Sequence, residues 1–177
     1  MDCNPELIAA AQNNTAKLGF SDRFALHTGE LADTRFLENL RMEASPVQLV
    51  MANPPWRLVG SGRLPATEAR RKALFGDKGT FPLFASAASS LLEEDGRFAC
   101  IISPDRLQDM LAALDGAGLT PYLLQYIHKQ KTSPATFVLI EARKGAHAKP
   151  SVAEPIALHG PERFFTLESL AFCPFLR

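Results

Sequence analysis

Four consecutive residues, Asn53-Pro54-Pro55-Trp56, bring together groups that could hold and orient an aromatic amine. Neither proline carries an N–H, so this stretch of backbone offers carbonyl acceptors and no competing donors of its own. The Asn53 side chain adds an amide oxygen, and Trp56 adds a large flat ring. A planar base with an exocyclic amine needs those groups: two acceptors for its N–H bonds and a ring to stack on. Such an amine is a poor nucleophile, because its lone pair is delocalised into the base. Hydrogen bonds from it to the Asn53 side-chain oxygen and the Pro54 carbonyl would favour a pyramidal nitrogen as positive charge develops. Acceptors fixed in advance stabilise that charge more in the transition state than in the ground state. No general base is needed, since an N-alkylated amine becomes acidic and can lose its proton late. The plainer interpretation of the same four residues is a tight turn leaving a strand.

A turn of this kind needs a rigid strand behind it. Val47-Gln48-Leu49-Val50-Met51-Ala52 has no period-two alternation, which predicts a strand buried on both faces, as in a parallel sheet flanked by helices. The turn then lies at the carboxyl end of a strand, where open α/β sheets bind ligands. Upstream, Asn4-Pro5-Glu6 predicts a helix start, followed by Ile8, Ala11, Thr15 and Leu18 at helical spacing and closed by Gly19. Residues 24–27 are a short strand candidate, and 33–42 a helix with Phe36, Leu37 and Leu40 on its apolar side. Downstream, Thr80 is the expected cap of a helix carrying Phe81, Phe84, Ala88, Leu91 and Leu92 up to Gly96. Residues 98–102 are a second buried strand, and Pro104-Asp105-Arg106 opens a helix running to Gly116. Residues 122–128 and 136–141 predict a hairpin, and 152–158 an edge strand. Strands alternating with helices and then a closing hairpin predict a doubly wound α/β sheet whose last strand runs antiparallel.

The 177 residues suit one domain, and 19 basic against 19 acidic residues leave no net charge, so any basic surface must be local. One such stretch is 57–72, with Arg57, Arg63, Arg70, Arg71 and Lys72 against Glu68 alone, loosened by Gly60 and Gly62. A basic, glycine-containing loop beside a base pocket suits a phosphate backbone; the bland alternative is a solvated loop and helix face. A second basic connection runs from Lys129 to Pro134. The three cysteines are scattered without a Cys-x-x-Cys, which argues against a zinc site or disulfide framework and fits a reducing cytosol. No apolar run approaches the ~20 residues of a membrane span. The four histidines have no metal-ligand spacing; Gly-x-Ser-x-Gly, Walker and His-Glu-x-x-His motifs are absent.

The order of these features resembles the S-adenosylmethionine-dependent methyltransferases that carry an Asn-Pro-Pro-aromatic motif, a Rossmann-like fold. More closely, it is similar to the bacterial valine-tRNA adenine-N6-methyltransferases, which modify the adenine beside the anticodon. The resemblance runs from Asp2-Cys3-Asn4-Pro5-Glu6-Leu7 to Arg163-Phe164-Phe165-Thr166. Its more specific pieces are Asn53-Pro54-Pro55-Trp56 with Gly60-Ser61-Gly62-Arg63, Pro104-Asp105-Arg106-Leu107, Pro134-Ala135-Thr136 and Glu141-Ala142-Arg143-Lys144-Gly145. It implies S-adenosylmethionine as cofactor and tRNA or another nucleic acid as partner. Asp2 falls where a carboxylate accepts hydrogen bonds from the cofactor ribose; Glu30, with Leu31 beside it, falls near the cofactor adenine, and Asn53 adjoins the cofactor as well. Asn53, Pro54, Pro55 and Trp56 take the catalytic positions, with Trp56 where Tyr or Phe is commoner. Arg57, Arg63, Arg70, Lys129, Arg143 and Lys144 are the expected nucleic-acid contacts.

In that family a first strand and a glycine-rich cofactor loop precede the position that Asp2 matches. The chain as written is therefore expected to be an incomplete methyltransferase domain lacking both, through a late start or a truncated gene, and to hold no cofactor by itself. Alternative functions are a DNA adenine or protein glutamine methyltransferase, or a non-catalytic RNA-binding remnant. The basic segment after the turn favours RNA, since the glutamine-methylating relatives typically carry an acidic one there.

Overall fold

In a computed structural model of the chain, residues 1–44, 46–58, 65–145, 149–162 and 164–173 are described. They belong to two units, Met1–Ser45 and Pro46–Arg177.

The first unit begins as its sequence predicts. Asn4 caps α1 (Pro5–Lys17), its side-chain oxygen accepting from the Glu6 N–H at 2.9 Å, with Pro5 where a missing N–H costs nothing. Gly19, at φ +72°, ends the helix in the left-handed conformation that glycine adopts freely. Ile8, Ala11 and Thr15 are half-buried, whereas Leu18, expected on the same stripe, is 66% exposed. In α2 (Thr34–Glu43) Asp33 stands outside as the cap, accepting from the N–H groups of Arg35 and Phe36. The strand expected at 24–27 does not form a ladder. Pairing is confined to a parallel bridge between Asp2 and Thr28, because the partner segment turns into α1 at once and Pro5 has no N–H to continue it. None of the described residues of this unit is buried.

The second unit is built on a sheet. Its elements are β1 (Val47–Ala52), β2 (Arg57–Leu58), α3 (Glu68–Leu74), β3 (Phe75–Gly76), α4 (Thr80–Leu91), β4 (Leu92–Ile102), α5 (Leu107–Gly116), β5 (Leu119–Gln130), β6 (Ala135–Lys144), β7 (Ser151–Val152), β8 (Ile156–His159) and α6 (Leu167–Phe172). Strand order is β1-β4-β6-β5-β7, with β8 also on β5. β1 and β4 are parallel (Ala52 opposite Cys100), and β6 is antiparallel to both neighbours (Ile140 opposite Cys100 and Leu124). The expected hairpin and antiparallel strand are therefore present, and longer than the apolar runs alone suggested. The edge strand expected at 152–158 is split into β7 and β8, with Pro155, which cannot donate to a ladder, between them.

Phe81, Phe98, Ile102, Met110, Leu114 and Ile140 are fully buried where α4 and α5 pack on the sheet. β1 departs from expectation. Val47, Val50 and Ala52 pack against this core, but Leu49 is 42% and Met51 75% exposed. The strand is last in the sheet order, with β4 as its partner, and only one of its faces meets the core cluster. Thr80 is the first residue of α4, not its cap; Gly79 takes the cap position and Asp77 accepts from the Gly79 N–H and the Thr80 hydroxyl. Leu92 leaves the helix for β4, and the Lys144 ammonium donates to the Ser89 and Leu92 carbonyls at 2.8 and 2.9 Å. That amine satisfies carbonyls orphaned at the helix end.

No helix among the described residues is long and apolar enough to cross a membrane. Cys100 lies buried in β4, and burial pushes its thiol up to about 12, whereas Cys3 is exposed. A protonated thiol is a poor nucleophile. Alkylation of the native protein at pH 8 should therefore label Cys3 and spare Cys100 until denaturant is added. Peptide mapping checks it; native labelling of Cys100 would contradict this core.

Candidate active site

β1 ends at Ala52, hydrogen-bonded in register with Cys100, and the next two prolines but one residue on stop the ladder. The turn that follows is held from several sides. Pro54 is fully buried. The Pro55 carbonyl lies so close to Gly76 that a Cβ there would meet it at 2.6 Å, and the Thr80 hydroxyl at the same distance. The parallel pairing of β2 with β3 sets this approach, placing Arg57 opposite Phe75 and Leu58 opposite Gly76.

Trp56 is half-buried and packs against the core cluster, its ring edge-on to Phe137 with centroids 6.0 Å apart and planes at 76°. The Arg57 guanidinium stands 5.2 Å from the indole centroid. Sequence reasoning offered Trp56 as a stacking face alone; the ring also anchors the turn. The Trp56 carbonyl accepts from Arg106 Nη1 at 2.9 Å. Arg106 was legible only as part of Pro104-Asp105-Arg106-Leu107; no pattern in the sequence announced that its side chain would be buried against the turn.

Asn53 is exposed, and neither its side-chain amide nor the Pro54 carbonyl has a hydrogen-bond partner among the described residues. Among the described residues the turn thus leaves two acceptors unbonded, the Asn53 side-chain oxygen at the surface and the carbonyl of the buried Pro54. Beside them stand an indole and a guanidinium.

The remaining expected site residues are distributed as follows. Arg57 and Arg70 are exposed, the latter on α3, which leads into β3; Arg63 lies outside the described residues. Because β6 runs antiparallel to β4, its first residues share the sheet end of the turn, as the Trp56–Phe137 contact requires. β5 ends there too, bringing exposed Lys129 and the hairpin connection to that end. There His128 Nδ1 lies 2.7 Å from the Ser133 carbonyl, and the Ser133 hydroxyl bridges Gln130. Arg143 and Lys144 are at the opposite end of β6, about 20 Å of strand away. Arg143 lies over Tyr122, and Lys144 is committed to the end of α4, so the sheet does not bring these two to the turn.

Asp2, Glu30 and Leu31 belong to the first unit. Asp2 Oδ1 accepts from the Asn4 N–H at 2.8 Å, and the bridge to Thr28 puts Glu30 and Leu31 just beyond Asp2's pairing partner. Glu30 is exposed and Leu31 half-buried. Gly29 leaves room here for the Phe36 ring, which a Cβ would meet. Among the described residues no three His, Cys, Asp or Glu side chains gather as a metal-binding group.

No protein-family model matches the chain, and no curated protein matches it. Solved structures do. A predicted O-methyltransferase of Agrobacterium tumefaciens superposes with a TM-score of 0.69 at 20% identity, over 98% of this chain and 73% of that one. The fold is a Rossmann-like methyltransferase fold. A protein named as an rRNA methylase of Clostridium thermocellum gives 0.50 at 20% identity, over 80% of this chain and 72% of its own. An O-methyltransferase family 2 protein of Planctomyces limnophilus, solved with apigenin, gives 0.51 at 16% identity; the match spans 81% of this chain and 41% of that one.

The close packing behind the turn gives a direct test. Gly76→Ala should destabilise the protein by about 1–3 kcal/mol, the scale of overpacking, because backbone and hydroxyl both stand in the way. Gly116→Ala, with nothing within 4 Å of the added carbon, should change little. Denaturant unfolding of the two variants compares them, and equal stabilities would show that the turn is loosely packed.

Proposed function

We propose that this protein is an S-adenosylmethionine-dependent methyltransferase acting on the N6 amine of an adenine in RNA, with tRNA the favoured substrate. The observation that carries the proposal is the pair of acceptors that are unengaged among the described residues, the Asn53 side-chain oxygen and the Pro54 carbonyl, on a turn fixed at the carboxyl end of β1. The methyltransferase fold supports the reaction class, and the local basic residues support a nucleic acid.

S-adenosylmethionine supplies a methyl group carried on a positively charged sulfur. The first unit offers groups of suitable chemistry for holding it. One oxygen of Asp2 is used by the Asn4 N–H, which leaves the other for a ribose hydroxyl; Glu30 adds a second carboxylate and Leu31 an apolar surface. In the second unit, Asn53 and Pro54 accept the two N–H bonds of the target amine and orient its lone pair. Their partial negative charge is in place before positive charge develops on nitrogen, so no reorganisation is needed at that moment. Trp56, steadied by Phe137, limits how the base can tilt. The prolines contribute by what they lack: they present no N–H that would repel the amine's hydrogens.

Arg57, Arg70 and Lys129 are the proposed phosphate contacts, with Arg63 on the intervening segment. Lys144 is left out because its amine closes α4, and Arg143 because it lies at the far end of the sheet.

Two predictions follow the two halves of the proposal. Asn53→Ala should lower kcat by about 10²–10³, the scale of one preorganised polar group, with the melting temperature unchanged because this side chain is exposed and unbonded among the described residues. Turnover within threefold of wild type removes Asn53 from the mechanism. Replacing Arg57, Arg70 and Lys129 by Gln should flatten the salt dependence of RNA binding, each lost contact reducing the log–log slope by somewhat under ~1. Arg143→Gln should leave the slope alone. A slope unchanged by the triple substitution would mean that these three side chains are merely solvated.

A further inference from the structure

We infer that Arg106 is a positioning residue for the amine-binding turn, acting through the Trp56 carbonyl; this deepens, and rests on, the reading of Asn53–Trp56 given above. Among the described residues Arg106 is the one charged residue that is buried, at 5% exposure. Burying a guanidinium is costly unless its N–H groups are used, and apolar side chains of similar size often fill such a place at less cost. This one is held on three sides. Nε donates to Asp109 Oδ2 at 2.6 Å, the guanidinium carbon lies 4.4 Å from the centroid of the buried Phe81 ring, and Nη1 donates to the Trp56 carbonyl. Asp109 belongs to α5 and Phe81 to α4, so two helices fix the group that reaches back fifty positions to the turn.

The turn needs an external holder. Pro54 and Pro55 cannot donate, and no backbone hydrogen bond closes 53–56 on itself among the described residues. Fixing the Trp56 carbonyl fixes the peptide plane after Trp56; the Pro54 carbonyl is two peptide units earlier, with the φ of Pro55 locked by its ring, so few backbone rotations separate the two. Arg106 donates to none of the acceptors proposed for the base. Its effect passes through geometry, and a displacement of about 1 Å at such a site costs on the order of 10²-fold in rate. A lysine keeps the charge but not the planar fork that bonds Asp109 and Trp56 together.

Trp56 is the only tryptophan of the chain, so its fluorescence reports the turn with no activity required. The experiment compares wild type, Arg106→Lys and Asp109→Ala in melting temperature, acrylamide quenching of Trp56, and kcat and cofactor KM on an RNA substrate. Asp109 is more than half exposed, so its variant tests the same device without emptying the core. Expected are stronger quenching in both variants, kcat reduced about 10²-fold in Arg106→Lys and about tenfold in Asp109→Ala, and an unchanged cofactor KM. Folded variants with wild-type quenching and kcat would overturn the inference. So would kcat falling only as far as the folded fraction falls. If Arg106→Lys does not fold, Asp109→Ala decides alone, and wild-type quenching in it overturns the inference. If wild type methylates no adenine, the proposed function fails, and the quenching comparison still decides whether Arg106 holds the turn.

Discussion

Two adjacent prolines at the end of β1 remove the hydrogen-bond donors with which a turn ordinarily stabilises itself, and much of the second unit compensates for that loss. Pro54 is sunk into the protein, Gly76 lets the Pro55 carbonyl approach, Phe137 meets the edge of Trp56, and Arg106 takes the Trp56 carbonyl. Each contact comes from a different element: β3, β6 and the segment opening α5. The same absence of donors makes the turn useful. Among the described residues its two acceptors take no donor from the protein: the Asn53 oxygen stands at the surface, and the Pro54 carbonyl belongs to a buried residue.

Sheet register then decides which side chains can serve that turn. With β4 and β1 parallel and β6 antiparallel between β4 and β5, the start of β6 and the end of β5 share one end with Asn53. Phe137 and Lys129 are thereby recruited, while Arg143 and Lys144 are carried to the other end. A basic residue can thus stand exposed at the turn's end of the sheet or serve as a helix-end donor according to its strand register, as Lys129 and Lys144 illustrate.

Much of this was legible in the sequence where the signal was local. Asn4-Pro5 fixed the start of α1, Gly19 its end, and the apolar runs on either side of Lys129-Gln130-Lys131 the hairpin. The Asn-Pro-Pro-Trp turn could be placed after a strand for the same reason. What could not be read was non-local. Nothing in the run from Val47 to Ala52 says that Leu49 and Met51 are exposed, because that depends on what stands on each side of the strand. Residues 24–27 have strand-like composition, yet a strand needs a partner, and Pro5 ends the available one. Arg106 reads as an ordinary surface arginine at a helix start until the fold brings Trp56, Phe81 and Asp109 around it.

The central claim is that the open acceptors on this turn select the N6 amine of an adenine. Nucleoside mass spectrometry of RNA incubated with the protein and isotopically labelled S-adenosylmethionine tests it most directly. The account predicts label in N6-methyladenosine. Label in a ribose 2′-O-methyl group, in another base, or in a protein glutamine instead would contradict it.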